Sequence, residues 1–178
     1  MSTRLVILGL LREKPLHGYE IKRLIQQRMG DWTSIAFGSI YFGLGKLAEQ
    51  GLIRKAATEQ EGNRPSRSVY EITRAGREEF IRLLREVWTE SERIFYTFDL
   101  GIYFMKALPP DEVKEHLARR AAGLEQVLDL LHREKIEKTA RAEVPDHARA
   151  IFDHTLIHLE AERDWLVEVM ARVDSGEY

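Results

Sequence analysis

Residues 38–73 read GSIYFGLGKLAEQGLIRKAATEQEGNRPSRSVYEIT, and within this stretch the hydrophobic period changes from that of a helix to that of a strand. The first part predicts a helix, because its apolar residues recur at helical spacing and share one face. These residues are Ile40, Leu44 and Leu47. Ser39 is a suitable N-cap for this helix, and Gly51 is a suitable end.

The second part of the stretch predicts a β-hairpin. Residues 52–58 and 66–73 suit two extended strands, and the turn-forming residues 61–65 separate them. Arg64 and Arg67 place positive charge at the tip of this hairpin.

Helices are predicted on both sides of this stretch. An apolar run at residues 5–11, followed by Pro15, predicts a first helix. An amphipathic pattern that ends near Gly30 predicts a second helix, and Thr73 is a suitable cap for a fourth. Together these elements predict a mainly α-helical fold, an α+β winged helix-turn-helix domain over residues 1–90.

This arrangement favours DNA binding. The third helix can enter the major groove, where base edges are distinguishable, and the hairpin can follow the neighbouring backbone or minor groove. Arginine suits phosphate contacts, whereas tyrosine and lysine on the third helix can reach base edges. The predicted DNA contacts are Tyr19, Lys22, Ser39, Tyr41, Lys46, Arg64 and Arg67. Winged helices also dock on proteins without touching nucleic acid, and both tyrosines can instead pack partly into the core.

Charge is distributed unevenly along the chain. The full sequence holds 27 basic residues against 29 acidic ones, which gives a net charge of -2. Residues 1–85 contain 15 basic and 9 acidic residues, and the remainder contains 12 basic and 20 acidic residues. A polyanion would therefore be attracted to the first part only, although ordinary surface variation can give the same asymmetry.

Other classes of function lack the residues that they need. The absence of cysteine excludes disulfides, thiolate metal sites and cysteine nucleophiles, and it fits a reducing cytoplasm. We find no export signal and no apolar run long enough for a membrane span. We also find no phosphate-binding glycine loop, and His154 and His158 lack the adjoining glutamate of a zinc hydrolase. We therefore expect a cytoplasmic protein that is not an enzyme and uses no cofactor or metal.

Residues 91–178 predict a helical tail. Pro109 and Pro110 suit the start of a long helix, and an apolar seam runs along that helix from Val113 to Leu131. Such a seam favours a two-fold dimer, in which two DNA-binding domains read paired half-sites. The seam can also pack against the last helix of the same chain. We expect the tail to be a dimerisation domain.

The segment from Ile94 to Leu108 is the most aromatic part of the chain, and we expect it to be buried. Aromatic side chains near the junction of the two domains can line a pocket for a small aromatic or amphipathic effector, although such residues more often form ordinary core. The candidate pocket residues are Trp88, Phe95, Phe98, Tyr103 and Trp165.

Three motifs resemble those of the PadR family of transcriptional regulators, in the same order. Residues 5–25, LVILGLLREKPLHGYEIKRLI, resemble the family's opening helix and the turn that follows it. Residues 38–53, GSIYFGLGKLAEQGLI, resemble its recognition helix, and residues 63–77, NRPSRSVYEITRAGR, resemble its wing. The segments FDLGIYF (98–104) and HLEAERDWL (158–166) are similar to the longer subfamily, which has a C-terminal helical dimerisation domain.

The resemblance implies a homodimeric regulator that binds double-stranded DNA. Because family members sense phenolic or drug-like compounds, it also implies a repressor that leaves DNA when an effector changes the separation of its two DNA-binding heads. The chain departs from the family's pattern at Phe42, where the family carries proline, and at Gly43 and Gly45. Each glycine costs the third helix about 1 kcal/mol relative to alanine unless a close approach of the backbone compensates. These departures put the family's mode of base reading in doubt for this chain.

Overall fold

The computed structural model describes residues 2–30, 33–59, 67–91, 93–140 and 146–178. The chain divides into two compact units, residues 1–92 and residues 93–178, and each unit has its own apolar core. Within the described residues, none of the helices is both long enough and apolar enough to span a membrane.

The first unit combines helices with a small antiparallel sheet. Its elements are α1 (Ser2–Leu11), β1 (Leu16–His17), α2 (Gly18–Met29), α3 (Phe37–Glu49), β2 (Ile53–Glu59), β3 (Arg67–Ile72) and α4 (Arg74–Thr89). Strand β3 lies in the centre of the sheet, with β2 on one side and β1 on the other. The mainly helical winged helix-turn-helix fold is therefore confirmed. Strand β1 was not predicted, because two residues are too few to show an alternating pattern.

The core of the first unit joins the apolar faces of its helices. The predicted face of α3 is confirmed, because Ile40, Leu44 and Leu47 each keep only 1% of their exposure. Ile7 of α1 and Ile21 of α2 are completely buried in the same cluster. Since one face of α3 lies in this core, the opposite face remains available to a ligand.

Side-chain hydrogen bonds fix the starts of two helices. Thr73 caps α4 as predicted, and its hydroxyl oxygen accepts a 3.1 Å hydrogen bond from the backbone N–H of Gly76. The cap of α2 was not predicted. There, Nδ1 of His17 accepts from the N–H of Glu20 at 3.1 Å, while the Glu20 carboxylate accepts from the N–H of His17 at 3.2 Å. This reciprocal pair is a capping box.

Ser39 does not cap α3, so that prediction is wrong. The helix begins two residues earlier, at Phe37, and Ala36 occupies the cap position without a side-chain hydrogen bond. The Ser39 hydroxyl lies inside the first turn and donates to the carbonyl oxygen of Ala36 at 2.6 Å. The buried positions of a helix indicate its face but leave its first turn undefined, which is why the start was misplaced.

The second unit contains a short helix followed by a long helical pair. Its elements are α5 (Thr97–Tyr103), a 3-10 turn (Met105–Ala107), α6 (Pro110–Ala140) and α7 (Asp146–Asp174). Asp111 and Glu112 lie in the first turn of α6, where negative charge is favourable near the positive end of the helix dipole.

The apolar seam of α6 packs inside its own chain. Val113 and Leu117 are buried with Leu166, Val169 and Val173 of α7. The prediction that this seam forms the dimer contact is therefore wrong for its buried positions, and the alternative of packing against the last helix holds. The spacing of a seam shows that it has a partner, but both kinds of partner require the same spacing.

The expected burial of the aromatic segment is also wrong for most of its residues. Phe98 and Ile102 pack against the core of the second unit, but Phe95 and Tyr103 are 79% and 80% exposed. Helix α5 packs against the core through Phe98 and Ile102, which lie one turn apart on the same face. None of its seven residues, all of them described, is fully buried. An aromatic composition predicts a preference for burial without showing whether the same chain supplies the cover.

Candidate nucleic-acid interface

The exposed face of α3 carries side chains that can reach into a DNA groove. Tyr41 and Phe42 are 48% and 69% exposed, and the side chain of Lys46 is 56% exposed. With about 100° of rotation per residue, Phe42 lies nearly opposite the buried face of the helix. The exposed face thus combines two aromatic rings with one positive charge.

Contacts with α2 fix the position of the Tyr41 ring on this face. A Cβ atom on Gly18 would lie 2.9 Å from Cε1 of Tyr41, so the ring lies where only glycine leaves room for it. Tyr41 also meets Phe37 edge-on, with ring centroids 5.0 Å apart. Nζ of Lys22 lies 4.2 Å from the centroid of the Phe37 ring, a cation–π contact. Tyr41 therefore packs on one side and stays exposed on the other.

Lys46 and Ser39 differ in how freely their side chains can hydrogen-bond to a ligand. Nζ of Lys46 lies 3.3 Å from a carboxylate oxygen of Glu49, and both side chains are largely exposed. Because an exposed ion pair contributes at most about 1 kcal/mol, Lys46 can exchange this partner for a phosphate or a base edge. Ser39 is half-buried, and its hydroxyl proton is already donated to Ala36. While that bond holds, Ser39 can accept a hydrogen bond from a ligand but cannot donate one.

Tyr19 and Lys22 extend the surface onto α2. Tyr19 is 54% exposed in the first turn of the helix, and its ring centroid lies 6.3 Å from that of His17. Lys22 lies one turn further on and is half-buried, because its side chain reaches the ring of Phe37. The described structure therefore brings five predicted contact residues onto neighbouring turns of α2 and α3.

The hairpin supports the predicted wing but leaves its tip outside the described residues. Strands β2 and β3 pair from Ile53 opposite Ile72 to Glu59 opposite Arg67. Arg64 lies outside the described residues, and the backbone of Arg67 is described but its side chain is not. The role of both arginines stays a prediction.

The importance of Gly43 could not be predicted from the sequence. A Cβ atom on Gly43 would lie 2.9 Å from Cδ1 of Ile7, so this glycine lets α3 approach α1 closely. Apart from the adjoining residues and the nearby backbone of α3, no described atom lies within 4 Å of the same position on Gly45. Close packing therefore compensates for the helix-weakening effect of Gly43 but not for that of Gly45. The sequence shows a glycine inside a helical pattern at both positions, so it does not distinguish the packed glycine from the exposed one.

Arg4 fixes the far end of α3 and also reaches α4. One guanidinium nitrogen donates to Oε1 of Gln50 at 2.8 Å, and the other lies 2.7 Å from a carboxylate oxygen of Glu79. The hydrogen bond from Arg82, together with the charges of Arg4 and Arg82, lowers the pKa of Glu79 below its usual value against the opposing effect of burial. Arg4 therefore links α1 to the end of α3 and to α4.

The second unit contains a separate cavity of about 420 Å³ beside α5 and α7. Phe98 and Trp165 line it and meet edge-on, with ring centroids 5.9 Å apart. Asp99 and Glu162 add two carboxylates to the lining, and Glu162 forms an ion pair with Arg120. The cavity therefore offers aromatic rings beside the Asp99 carboxylate and the Glu162–Arg120 ion pair.

The other candidate pocket residues lie elsewhere. Phe95 is absent from the described lining of this cavity, and Tyr103 borders another hollow of about 400 Å³ beside Tyr178. Trp88 belongs to the first unit and is 83% exposed. The structure thus brings together Phe98 and Trp165, and an effector role for any of the five stays a prediction.

His154 and His158 of α7 lie close to each other, but the described residues place no third metal ligand beside them. Nε2 of His154 lies 3.0 Å from Nε2 of His158. In the part of the chain that the structure describes, no group of three or more histidine, cysteine, aspartate or glutamate side chains is placed to hold a metal ion.

Comparisons with known proteins relate the chain to transcriptional regulators. Residues 7–82 match the transcriptional regulator PadR-like family. The chain is 30% identical over 178 residues to the negative transcriptional regulator PadR of Bacillus subtilis (strain 168), and the match covers 94% of this chain and 95% of that protein. The fold matches the crystal structure of Bacillus subtilis PadR in complex with operator DNA, with a TM-score of 0.78, 25% identity, and coverage of 97% of this chain and 99% of that one. It also matches Bacillus subtilis PadR in complex with p-coumaric acid, with a TM-score of 0.73, 24% identity, and coverage of 98% and 99%.

Proposed function

The chain belongs to the transcriptional regulator PadR-like family, and from this membership we propose that it binds double-stranded DNA as a homodimeric repressor released by a small molecule. Its place of action would then be the cytoplasm, where such a regulator meets DNA. The related protein is named a negative regulator, which supports repression.

The observation that carries the DNA-binding proposal is the exposed face of α3. Tyr41, Phe42 and Lys46 lie on the solvent side of the second helix of a helix-turn-helix pair, the position that enters the major groove in this fold. The similar protein of known structure was crystallised with operator DNA. The excess of basic residues in the first 85 positions favours the same partner.

The exposed aromatic residues of the second unit support a dimer. Phe95, Tyr103 and Phe104 are 79%, 80% and 63% exposed. Tyr103 and Phe104 meet edge-on, with ring centroids 4.8 Å apart, and exposed apolar side chains in contact with each other commonly mark a protein-protein contact. A second copy of the chain that covers them would place two DNA-binding units on one duplex, as a symmetric operator requires.

The cavity lined by Phe98 and Trp165 is our candidate effector site. Its volume suits a compound with one or two aromatic rings, and the two ring faces provide an apolar contact surface. The similar Bacillus subtilis protein was crystallised with p-coumaric acid, an aromatic compound. Arg120 offsets the charge of Glu162, so Asp99 is the carboxylate that would repel an anionic compound, and we expect this cavity to prefer neutral or cationic aromatic compounds.

The alternative function is a winged-helix module that docks on an acidic protein without touching DNA. The same exposed lysine, Lys46, and the same aromatic rings could serve such a contact. Sequence-dependent binding to DNA distinguishes the two functions, because a protein-docking surface has no reason to select base pairs.

Selection from a random duplex library tests the proposal directly. The full chain is incubated with the library at about 0.15 M salt, the bound fragments are sequenced, and their affinities are measured by gel shift. We expect one enriched motif that consists of two inverted half-sites. Binding that shows no sequence enrichment, or no binding at all, would contradict the proposal, and a reporter gene under the selected site distinguishes repression from activation.

A further inference from the structure

Phe42 has an unusual environment on the exposed face of α3. Its ring is 69% exposed, and one helical turn away in either direction the chain carries glycine, Gly38 before it and Gly45 after it. Apart from the adjoining residues and the nearby backbone of α3 itself, no described atom lies within 4 Å of the position where a Cβ atom would be added at either glycine. The ring therefore projects from the helix with open space along the helix on both sides.

The two flanking glycines favour a close approach of the α3 backbone to its ligand. Each weakens the helix by about 1 kcal/mol relative to alanine, and at these two positions no packing inside the described chain compensates. A ring that projects from a helix with bare backbone beside it suits a groove that is wide enough to admit the helix itself. The major groove, about 12 Å wide and 8.5 Å deep, admits an α-helix.

The chemistry of the ring limits what it can recognise in a groove. Phenylalanine has no hydrogen-bond donor or acceptor, so it cannot read the polar edges that distinguish guanine, cytosine and adenine. Thymine alone among the four bases presents a methyl group in the major groove, and an apolar side chain can contact it. Nζ of Lys46 lies 5.8 Å from the centroid of the Phe42 ring, which places a cation for phosphate beside this apolar contact.

We propose that Phe42 contacts the 5-methyl group of a thymine and so selects thymine at one position of each half-site. This inference rests on the proposed DNA binding and adds a base preference to it. Phe42 would be a specificity-determining residue, whereas Lys46 would position the helix through the backbone of the duplex.

Replacement of thymine by uracil tests the contact, because uracil pairs identically and lacks only the methyl group. Each thymine of the selected operator is replaced in turn, and the affinity of the full chain is measured by gel shift. For the wild-type protein we expect one position per half-site at which the replacement weakens binding about fourfold. That factor corresponds to about 0.8 kcal/mol for one buried methyl group.

Variants of Phe42 connect the effect to this side chain. In Phe42→Ala the ratio of the affinities for thymine and uracil at that position should fall to about one, and in Phe42→Leu part of the ratio should remain. Phe37→Ala is the matched control, since Phe37 lies on the same helix, is 47% exposed and faces Tyr41. Phe37→Ala can alter the overall affinity, but the thymine-to-uracil ratio should stay about fourfold.

The outcomes separate this inference from the proposed function. Failure of the full chain to select any DNA sequence would contradict the proposed function. Selective binding in which no single uracil replacement changes affinity, or in which the ratio persists in Phe42→Ala, would overturn the role of Phe42 while leaving DNA binding intact. Because the readout is a ratio for one variant on two duplexes, a partial loss of folded protein does not alter it.

Discussion

A Cβ atom on Gly76 would lie 2.0 Å from the carbonyl oxygen of Leu52, so the first turn of α4 lies against the start of the hairpin at a distance that only glycine allows. The same carbonyl accepts a 3.0 Å hydrogen bond from the backbone N–H of Thr73, the cap of α4. This contact ties the beginning of the hairpin to the helix that follows it.

We predict that Gly76→Ala destabilises the first unit by about 3 kcal/mol or more. The added methyl group collides with backbone rather than with a flexible side-chain end, so relief requires α4 to move away from Leu52. Urea unfolding followed by circular dichroism measures the change.

Gly45→Ala is the matched control, and its effect should have the opposite sign. Gly45 is an exposed residue of α3 with open space around it, so alanine should stabilise the protein by about 1 kcal/mol through its higher helix propensity. A similar loss of stability in both variants would mean that glycine at position 76 serves something other than close packing.

The sequence predicts the helices and strands of the first unit better than it predicts which elements pack against one another. The buried face of α3 follows from helical spacing alone, and the cap at Thr73 follows from its hydroxyl in front of a helix. The seam that begins at Val113 does not reveal whether α7 or a second chain covers it, because both produce the same spacing. Burial depends on tertiary contacts that a local pattern does not contain.

The candidate site shows the same limit. Residue type and helical position are enough to place Tyr41 and Lys46 on an exposed face of α3. The close approaches at Gly18 and Gly43 depend on the distance between two helices, which the sequence of one helix does not specify. The joint lining of a cavity by Phe98 and Trp165 depends likewise on how α5 meets α7.

We predict a dependence of stability on pH that can be traced to Glu79. Its pKa is lowered in the folded state, so its ionised form stabilises the protein at pH values above its unfolded pKa of about 4.5. This contribution is lost as the pH falls through the lower, folded-state pKa. Glu79→Gln should therefore reduce the free energy of unfolding at pH 7 by at most about 1 kcal/mol, because its partners are partly exposed.

Urea unfolding at a series of pH values between 7 and about 3 measures this dependence. The difference between wild type and Glu79→Gln should be constant near neutrality and become smaller in acid. Glu78→Gln is the control, since Glu78 is on the same helix, is 67% exposed and forms an ion pair with Arg74. A difference for Glu79→Gln that does not change with pH would show that the carboxylate acts through packing and not through its charge.

We predict that Arg64→Ala combined with Arg67→Ala weakens DNA binding and reduces its dependence on salt. Each phosphate contact releases condensed counterions, so the loss of two contacts should reduce the slope of log K against log salt by about 1.8. Gel shifts with the selected operator between 50 and 200 mM salt measure the slope.

A control with the same loss of charge separates contact from general attraction. Arg119→Ala combined with Arg133→Ala removes two exposed arginines from α6 in the second unit. This control should leave the salt dependence close to that of the wild type. Equal slopes for wild type and the wing variant would exclude phosphate contacts by Arg64 and Arg67.

We predict that Trp165→Ala impairs release of DNA by an effector. The ring lines the cavity and meets Phe98 there, so its loss should raise the effector concentration needed for half-release by about tenfold. Fluorescence anisotropy of a labelled operator measures release by neutral, cationic and anionic aromatic compounds, with p-coumaric acid as the anionic example. The affinity for DNA without an effector should stay within about threefold of the wild-type value.

Val167→Ala is the control for the effector site. Val167 is 59% exposed on the same helix and does not line the described cavity. If Trp165→Ala and the wild type respond equally to every releasing compound, the cavity beside Phe98 is not the effector site. Preferential release by the anionic compound would contradict the expected effect of Asp99.

We predict that the full chain is a dimer at micromolar concentration and that Phe95→Glu combined with Tyr103→Glu converts it to a monomer. Both side chains are about four-fifths exposed in the single chain, so glutamate at these positions should not disturb its fold. In a dimer that covers them, each glutamate would be buried without a partner, which costs several kcal/mol. Sedimentation velocity measures the mass, and circular dichroism checks that the helical content is unchanged.

The control for this variant is Phe42→Glu, which places the same charge on an exposed phenylalanine of the first unit. It should remain dimeric, because α3 faces the DNA groove in the proposed complex. The double variant of the second unit should also lose affinity for the full operator while keeping affinity for a single half-site, since two linked heads bind paired half-sites with a higher effective concentration. A wild-type chain that sediments as a monomer, or a double variant that stays dimeric, would show that the exposed aromatic residues are not the dimer contact.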